Sequence, residues 1–453
     1  MSPLFGTDGV RGVANSELTP ELAFRIGRAA ATVLQNGGEK ERPFIVGRDT
    51  RVSGSMLEAA IVAGITSVGS DALLIGVVPT PAVACVARQT GAAAGVVISA
   101  SHNPVADNGI KFFAGDGFKL SDDVERRIEA AIDSPDLPRP VGTAVGVVRS
   151  AANLARHYYH ELYAGKPDLR GLHVIVDAGF GAAYAIAPYV LRKLGADVVE
   201  LNCENDGSRI NVECGTTDLR QLQAAVRSSN ASGSGHAVGV AFDGDADRAL
   251  FVDETGAAVS GDHVLFAIGC AMHAHGELAR DTIVATVMSN IGFERALRNH
   301  GIALIRTAVG DRFVLEQMRE GGYTLGGEQS GHLIDLRYNT TGDGPRTAVT
   351  LLGIVAAAKT RLCELVSEVQ VAPQVLVNVR SNGDGVLAAQ SVRDAIAAAE
   401  SDLGASGRLL IRPSGTEPLI RVMAEGEDRA LIERVAGRVA SRIEQEVKRL
   451  TTP

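Results

Sequence analysis

Ala94-Gly95-Val96-Val97-Ile98-Ser99-Ala100-Ser101-His102-Asn103-Pro104 is the stretch that decides how the chain is read. Its first half is apolar and β-branched, the pattern of a strand buried on both faces within a parallel sheet. Polarity starts at Ser99 and continues through Asn103-Pro104 and Asp107-Asn108-Gly109, a turn, before a second short strand over Ile110–Phe113. A serine at the carboxyl end of a sheet strand lies where open α/β sheets bind ligands. His102 follows Ser101 directly, and Lys111 lies on the next strand. Two readings fit: a covalent site at Ser101, or a turn that Ser101 merely begins.

Working outward, strands and helices alternate. Helical spacing over Leu18–Leu34 follows Thr19-Pro20, a suitable N-cap and first helical residue. Strands are expected at Phe44–Gly47 and Leu73–Val78, with helices at Ser55–Val68 and Ala82–Arg88. Asp49 and Arg51, just past strand Phe44–Gly47, pair with each other or cap the next helix. This alternation indicates βαβ units. After a charged helix, Asp122–Ile132, the segment Ser134–Pro140 carries three prolines and marks an interdomain boundary. A second α/β unit follows, with a helix over Thr217–Ser228 capped by Thr216 or Thr217 and a strand over Ala237–Phe242. A third runs from helix His263–Ala274 to strand Tyr323–Leu325, and a last segment ends in helix Ala430–Leu450. The expected domains are residues 1–145, 146–254, 255–368 and 369–453.

Four further loops offer chemistry. Phe5-Gly6-Thr7-Asp8-Gly9-Val10-Arg11-Gly12 is a glycine-spaced loop whose Arg11 could meet an anion, or else a solvated terminus. Asp243-Gly244-Asp245-Ala246-Asp247-Arg248 sets three carboxylates at alternate positions, an arrangement that hard divalent cations such as Mg²⁺ require and that self-repulsion disfavours without one. It is not an EF-hand: Arg248 stands where that loop needs glycine, and Ala249–Val252 reads as a strand. Gly326–His332 surrounds Glu328, Gln329 and Ser330 with glycines, suiting sugar hydroxyls or a hairpin. Arg412-Pro413-Ser414-Gly415-Thr416-Glu417-Pro418, with Arg421, has the forked charges and free amides a phosphate takes. His273 and His275 face different directions on a helix and read as surface residues.

The chain has 453 residues, too many for one core, and length alone suggests about three domains. A net charge of −9 excludes nucleic acid as the main partner. No apolar run approaches a membrane span, and the first residues lack a basic-then-apolar export pattern. With 5 scattered cysteines, a reduced, cytoplasmic location is expected.

Taken together, the loops Phe5–Gly12, Ser99–Pro104 with Asp107–Lys111, Asp243–Arg248, Val309-Gly310-Asp311-Arg312, Gly327–His332 and Arg412–Pro418 resemble the α-D-phosphohexomutase superfamily over the whole chain. Glu328-Gln329-Ser330 and the Phe5–Gly9 start look like its phosphoglucosamine mutase branch. Phosphomannomutases and phosphoglucomutases, which more often have Glu-Met-Ser, are the alternative. Ala246 departs from the glycine common in the glucosamine branch, and costs roughly 1 kcal/mol if that position needs positive φ. The resemblance implies an α/β protein of four domains around a central cleft. The first three would be similar α/β units with mixed sheets between helices, the fourth a smaller α+β domain. It implies a phosphoserine at Ser101 that coordinates one Mg²⁺ with Asp243, Asp245 and Asp247. Arg11, His102, Lys111, Arg248 and His332 would surround the moving phosphoryl group, with Lys111 or His332 as general base. Glu328 and Ser330 would hold the sugar, and Arg412, Ser414, Gly415, Thr416 and Arg421 its phosphate. The implied reaction interconverts glucosamine 6-phosphate and glucosamine 1-phosphate through glucosamine 1,6-bisphosphate, which is both intermediate and activator. The partner is a small hexosamine phosphate, and family precedent favours a homodimer whose last domain hinges near 366–374. A phosphosugar-binding sensor without turnover is a remote alternative, because a sensor needs neither the serine nor the aspartates.

Overall fold

The computed structural model describes residues 4–6, 8–35, 42–163, 165, 167–233, 236–381, 385–413 and 418–451. Ser414, Gly415 and Thr416, expected to bind phosphate, lie outside the described residues, as does Thr7. The chain divides into two compact units, Met1–Thr286 with Leu304–Ser367, and Val287–Ala303 with Glu368–Pro453.

The first unit contains three mixed sheets. In the first, Ala94–Ile98 is fully buried and central, parallel to Phe44–Arg48 and antiparallel to Asp107–Ala114. Two strands extend this sheet where no strand was expected. Val10–Val13 pairs antiparallel with Asp107–Ala114, so the glycine-spaced amino-terminal segment is sheet edge rather than loop. Val148–Ser150 pairs with Ala72–Val77, so the chain returns to the first sheet after the prolines and past residue 145. Thr19 caps helix Pro20–Leu34 by accepting from Leu22 N at 3.2 Å, and this helix packs its alanine-rich face on helix Gly54–Ser67.

The second sheet runs in the order Ala258–Val259, Ala249–Val252, Ala237–Phe242, His173–Asp177, Asp197–Leu201. Its last three strands are parallel and deliver the acidic loop at the end of Ala237–Phe242. The helix expected from Thr217 starts later, at Arg220. Gly215 has φ +62 and sits against Phe242, where a Cβ would lie 2.4 Å from the Phe242 carbonyl oxygen, so Gly215–Thr217 forms a tight 3₁₀ turn instead. The third sheet has the order Ala303–Thr307, Thr282–Thr286, Leu325–Gly327, Leu333–Asp335.

Polar contacts tie the three sheets together. Asp343 caps helix Gly344–Ala358 and accepts from Tyr158 Oη at 2.6 Å and Asn339 Nδ2 at 2.9 Å. Asn339 Nδ2 also donates to Pro81 O at 3.1 Å, Arg88 Nη2 donates to Tyr338 O at 2.9 Å, and Gly344 N donates to Ala246 O at 3.0 Å. Asp343, Tyr158, Asn339 and Gly344 are buried and satisfied by these bonds, which removes the cost of withdrawing them from water.

The second unit is an antiparallel sheet, Gln374–Arg380, Leu419–Gly426, Gly407–Pro413, covered by helices Gln390–Leu403 and Arg429–Thr451 over Ile420, Val422, Ile432, Val435 and Val439. Helix Ile291–Asn299, expected within residues 255–368, belongs to this unit. Asn290 exchanges two hydrogen bonds with Ala372, and Ile291 N donates to Glu425 Oε2 at 3.0 Å. No described helix is long and apolar enough to cross a membrane.

Candidate active site

Ser101 stands in the turn that follows strand Ala94–Ile98, three residues past its end, 1 % exposed, with φ +52. A non-glycine residue in this region is strained and persists only where its surroundings enforce it. Ser101 Oγ donates to Asp243 Oδ2 at 2.6 Å and lies 3.3 Å from His102 Nδ1. The strand end of the first sheet and that of the second therefore meet at this serine.

Asp243, Asp245 and Asp247 each present a carboxylate oxygen within 4.8 Å of the others, all buried. Burial first, then the neighbouring Asp247 and Asp245, raise the Asp243 carboxyl well above its usual range. Asp245 Oδ1 and Asp247 Oδ1 are buried with no hydrogen-bond partner. Buried acceptors left unmatched beside a like-charged neighbour are costly. A hard divalent cation answers both deficits, so the donor set fits Mg²⁺. The Ala246 that spaces these ligands has φ +56, so the strain expected of alanine there is present.

Cations crowd the triad. Lys111 Nζ lies 2.8 Å from Asp8 Oδ2, 3.0 Å from Asp245 Oδ2 and 3.6 Å from Asp247 Oδ2. Burial alone would lower its pKa, but Asp245, Asp8 and Asp247 outweigh burial and raise it, holding the ammonium protonated. Arg248 is likewise held charged, burial being outweighed by Asp247 and Asp243. Arg11 donates to Asn103 Oδ1 at 3.0 Å and pairs with Asp8. His102 keeps solvent contact, yet partial desolvation, then Arg248 and Arg11, push its pKa down to about 4, so it is neutral at neutral pH. His332 is 2 % exposed, with both ring nitrogens lacking a hydrogen-bond partner and Asp311 Oδ2 3.5 Å from Nε2. Glu328 Oε1 accepts from Gly310 N at 3.3 Å, and the Ser330 hydroxyl is buried without a partner.

These groups bound a cleft of about 450 Å³ lined by Asp8, Arg11, His102, Asp247, Arg248, Asp311, Glu328 and His332, among others. The expected site residues of the first unit thus converge. In the second unit, Arg412 and Arg421 are register partners on adjacent antiparallel strands. Partial burial and then the neighbouring Arg421 lower the pKa of Arg412.

The sequence assigned no site role to several residues that line the cleft or hold its loops in place. Asp8 and Asp311 bracket Lys119, and Thr80 donates to Asp245 Oδ2 at 2.6 Å through its hydroxyl and to Asp245 O at 2.9 Å through its amide. Arg51 and Asn211 both donate to Ser101 O, at 2.9 and 2.8 Å. Asp8 and Asp311 fell inside quoted loops, but nothing local in the sequence marks Thr80 or Asn211.

Comparison with known proteins places this geometry. Residues 2–139, 156–256, 260–371 and 376–442 match, in order, the phosphoglucomutase/phosphomannomutase alpha/beta/alpha domains I, II and III and the C-terminal domain. Phosphoglucosamine mutases of Symbiobacterium thermophilum and Rhodococcus jostii are each 50 % identical to the chain, covering 99 % and 97 % of it and the whole of each relative. A Burkholderia thailandensis phosphoglucomutase/phosphomannomutase family protein superposes with a TM-score of 0.83 at 25 % identity, over 98 % of both chains. Aspergillus fumigatus N-acetylphosphoglucosamine mutase, solved with GlcNAc-6P and magnesium, shares the fold at TM-score 0.67 and 18 % identity, over 98 % of this chain and 96 % of that one. With four domains in the family order and half of all residues shared along full-length relatives, the chain belongs to the phosphoglucosamine mutase family.

Proposed function

We propose that the protein is an isomerase that interconverts glucosamine 6-phosphate and glucosamine 1-phosphate through a phosphoserine at Ser101. The observation that carries this reading is the Ser101 hydroxyl held 2.6 Å from a buried three-aspartate cluster that has two unmatched oxygens, in a cleft walled by cations. Asp243, Asp245 and Asp247 would hold Mg²⁺, which supplies charge neutralisation for phosphoryl oxygens when bound.

The chain's own residues do the rest. Lys111, Arg11 and Arg248 offer fixed positive charge to the phosphoryl group on Ser101. Glu328 and Ser330 accept from and donate to ring hydroxyls, placing the C1 hydroxyl in line. Arg412 and Arg421, side by side on adjacent strands, are a pair suited to a phosphate dianion. As the P–O bond to Ser101 breaks and the P–O bond to C1 forms, the C1 hydroxyl proton must leave. We assign His332 to receive it, because both of its ring nitrogens lack a hydrogen-bond partner in the cleft while Lys111 Nζ is committed to ion pairs with Asp8 and Asp245. Reorientation of the glucosamine 1,6-bisphosphate then returns its 6-phosphate to Ser101 and frees glucosamine 1-phosphate. The free cysteines suit a reducing cytoplasm.

Turnover of glucosamine, mannose and glucose phosphates, measured in parallel with Mg²⁺ and a trace of sugar bisphosphate, tests the proposal. A kcat/KM preference of about tenfold or more for glucosamine phosphate, about 1.4 kcal/mol, is expected. A preference for mannose or glucose phosphate would move the enzyme to that branch. Unchanged turnover by Ser101→Ala would overturn the phosphoserine.

A further inference from the structure

We infer that Asp49, Arg51, Ser99 and Asn211 form a positioning frame that holds the Ser101 backbone in its strained conformation and aims Oγ at the acidic loop. The inference rests on reading Ser101 as the phosphoryl carrier.

Arg51 is the largest fully buried side chain in the described structure, 1 % exposed, and it does not line the cleft. Its guanidinium instead donates to four backbone carbonyls between Ser101 and Asp107: Ser101 O at 2.9 Å, Asn103 O at 2.7 Å, Pro104 O at 2.6 Å and Asp107 O at 2.9 Å. Its Nε donates to Asp49 Oδ2 at 3.1 Å. The five donors of the planar fork are therefore used on one loop and one carboxylate, a match lysine cannot reproduce.

The remaining links close a ring. Ser99 Oγ donates to Asp49 Oδ2 at 2.5 Å and accepts from Ser101 N at 2.9 Å. Both the amide and the carbonyl of Ser101 are thus tied to the Asp49–Arg51 pair, one through Ser99 and one directly. From the second sheet's loops, Asn211 Nδ2 also donates to Ser101 O at 2.8 Å. The turn carrying Asp49 and Arg51 is itself locked: Thr50 Oγ1 donates to Phe180 O at 2.5 Å, and Gly207 is so close that a Cβ there would lie 1.9 Å from Thr50 O. Fixing one φ at +52 against its steric preference requires constraints of this kind on both sides of the residue.

None of the four side chains reaches a reacting atom, so they act through Ser101. Ser99→Ala, Asn211→Ala and Arg51→Lys, made singly in the full chain, test the frame alongside Ser101→Ala. The expected result is a fall in kcat of about ten- to a hundredfold with KM within about twofold, because misplacing a reacting atom by an ångström costs about that much in rate. Rapid-quench transfer from phosphorylated Ser101 should slow in parallel, and Ser99→Ala combined with Arg51→Lys should cost less than the product of the two, since both act on one turn. Ser99→Ala and Asn211→Ala remove one small group each, so they keep the test decisive if Arg51→Lys does not fold. Folded Ser99→Ala and Asn211→Ala enzymes with kcat within about twofold of the parent, in a protein that Ser101→Ala inactivates, would overturn the frame. Retained turnover by Ser101→Ala would instead overturn the reading on which it rests.

Discussion

Gly244→Ala should slow the enzyme without touching a reactive group. Gly244 lies in the acidic loop between Asp243 and Asp245, and a Cβ there would sit 2.5 Å from Ser101 O, 2.9 Å from Ile210 Cδ1 and 3.1 Å from Asn211 Nδ2. The acidic loop cannot retreat: Gly181 packs against its other side, where even a methyl would fall 2.7 Å from Gly244 Cα. The serine turn must therefore give way by about 0.5–0.9 Å to regain ordinary contact. Because Ser101 O is pinned by Arg51 and Asn211, the displacement pulls against those bonds and carries Oγ away from Asp243. From the rate sensitivity of about a hundredfold per ångström, kcat should fall about ten- to a hundredfold, about 1.4–2.7 kcal/mol of activation free energy. Overpacking should also cost about 1–3 kcal/mol of stability. Steady-state kinetics on the folded variant, with a thermal scan beside it, measures both. A folded Gly244→Ala enzyme with parental kcat would refute the steric reasoning.

Gly437→Ala is the converse case. Gly437 lies inside helix Arg429–Thr451 with open space where a Cβ would go, so the variant should gain about 1 kcal/mol in denaturant unfolding with kcat unchanged. Burial, opposed by Arg51 and Ser99, raises the Asp49 carboxyl to about 6. A carboxyl whose folded pKa exceeds its unfolded value of about 3.9 adds stability below that value and loses it as pH rises through 6. Denaturation curves should therefore show a falling component of about 3 kcal/mol between pH 4 and pH 6–7 that Asp49→Asn lacks; parallel curves would contradict it. Mg²⁺ at a hundredfold over its Kd should raise stability by about 2.7 kcal/mol, seen as a higher Tm than in EDTA, and Asp247→Asn should shrink that gain.

The long apolar strands, the Ser101 turn and the acidic loop were legible because each is written in consecutive residues. Ala94–Ile98 announces burial by its own composition, and Asp243–Asp247 announces a cation by its own spacing. Short or glycine-rich strands were not legible. The strand expected at Tyr323–Leu325 runs instead over Leu325–Gly327, where two glycines in three residues are held in the sheet by Thr282–Thr286 and Leu333–Asp335 on either side. Val10–Val13 likewise depends on Asp107–Ala114, far along the chain. The same limit explains the site. Asp49 and Arg51 were seen as a pair, but that Arg51 grips the turn from Ser101 to Asp107 is a fact of tertiary proximity that no local pattern encodes.

The buried contacts around Asp343 also bear on how the molecule comes apart. Tyr158 lies 185 residues from Asp343 and Pro81 lies 258 residues from Asn339, and each finds its partner only when the others are in place. Opening one sheet would strand polar groups of its neighbours in an apolar interior, so partial unfolding brings little relief. The three sheets of the first unit, for all their resemblance to separate modules, should melt as one cooperative block, and a nuclease-like trimming of the gene to any one of them should yield a chain that proteases digest.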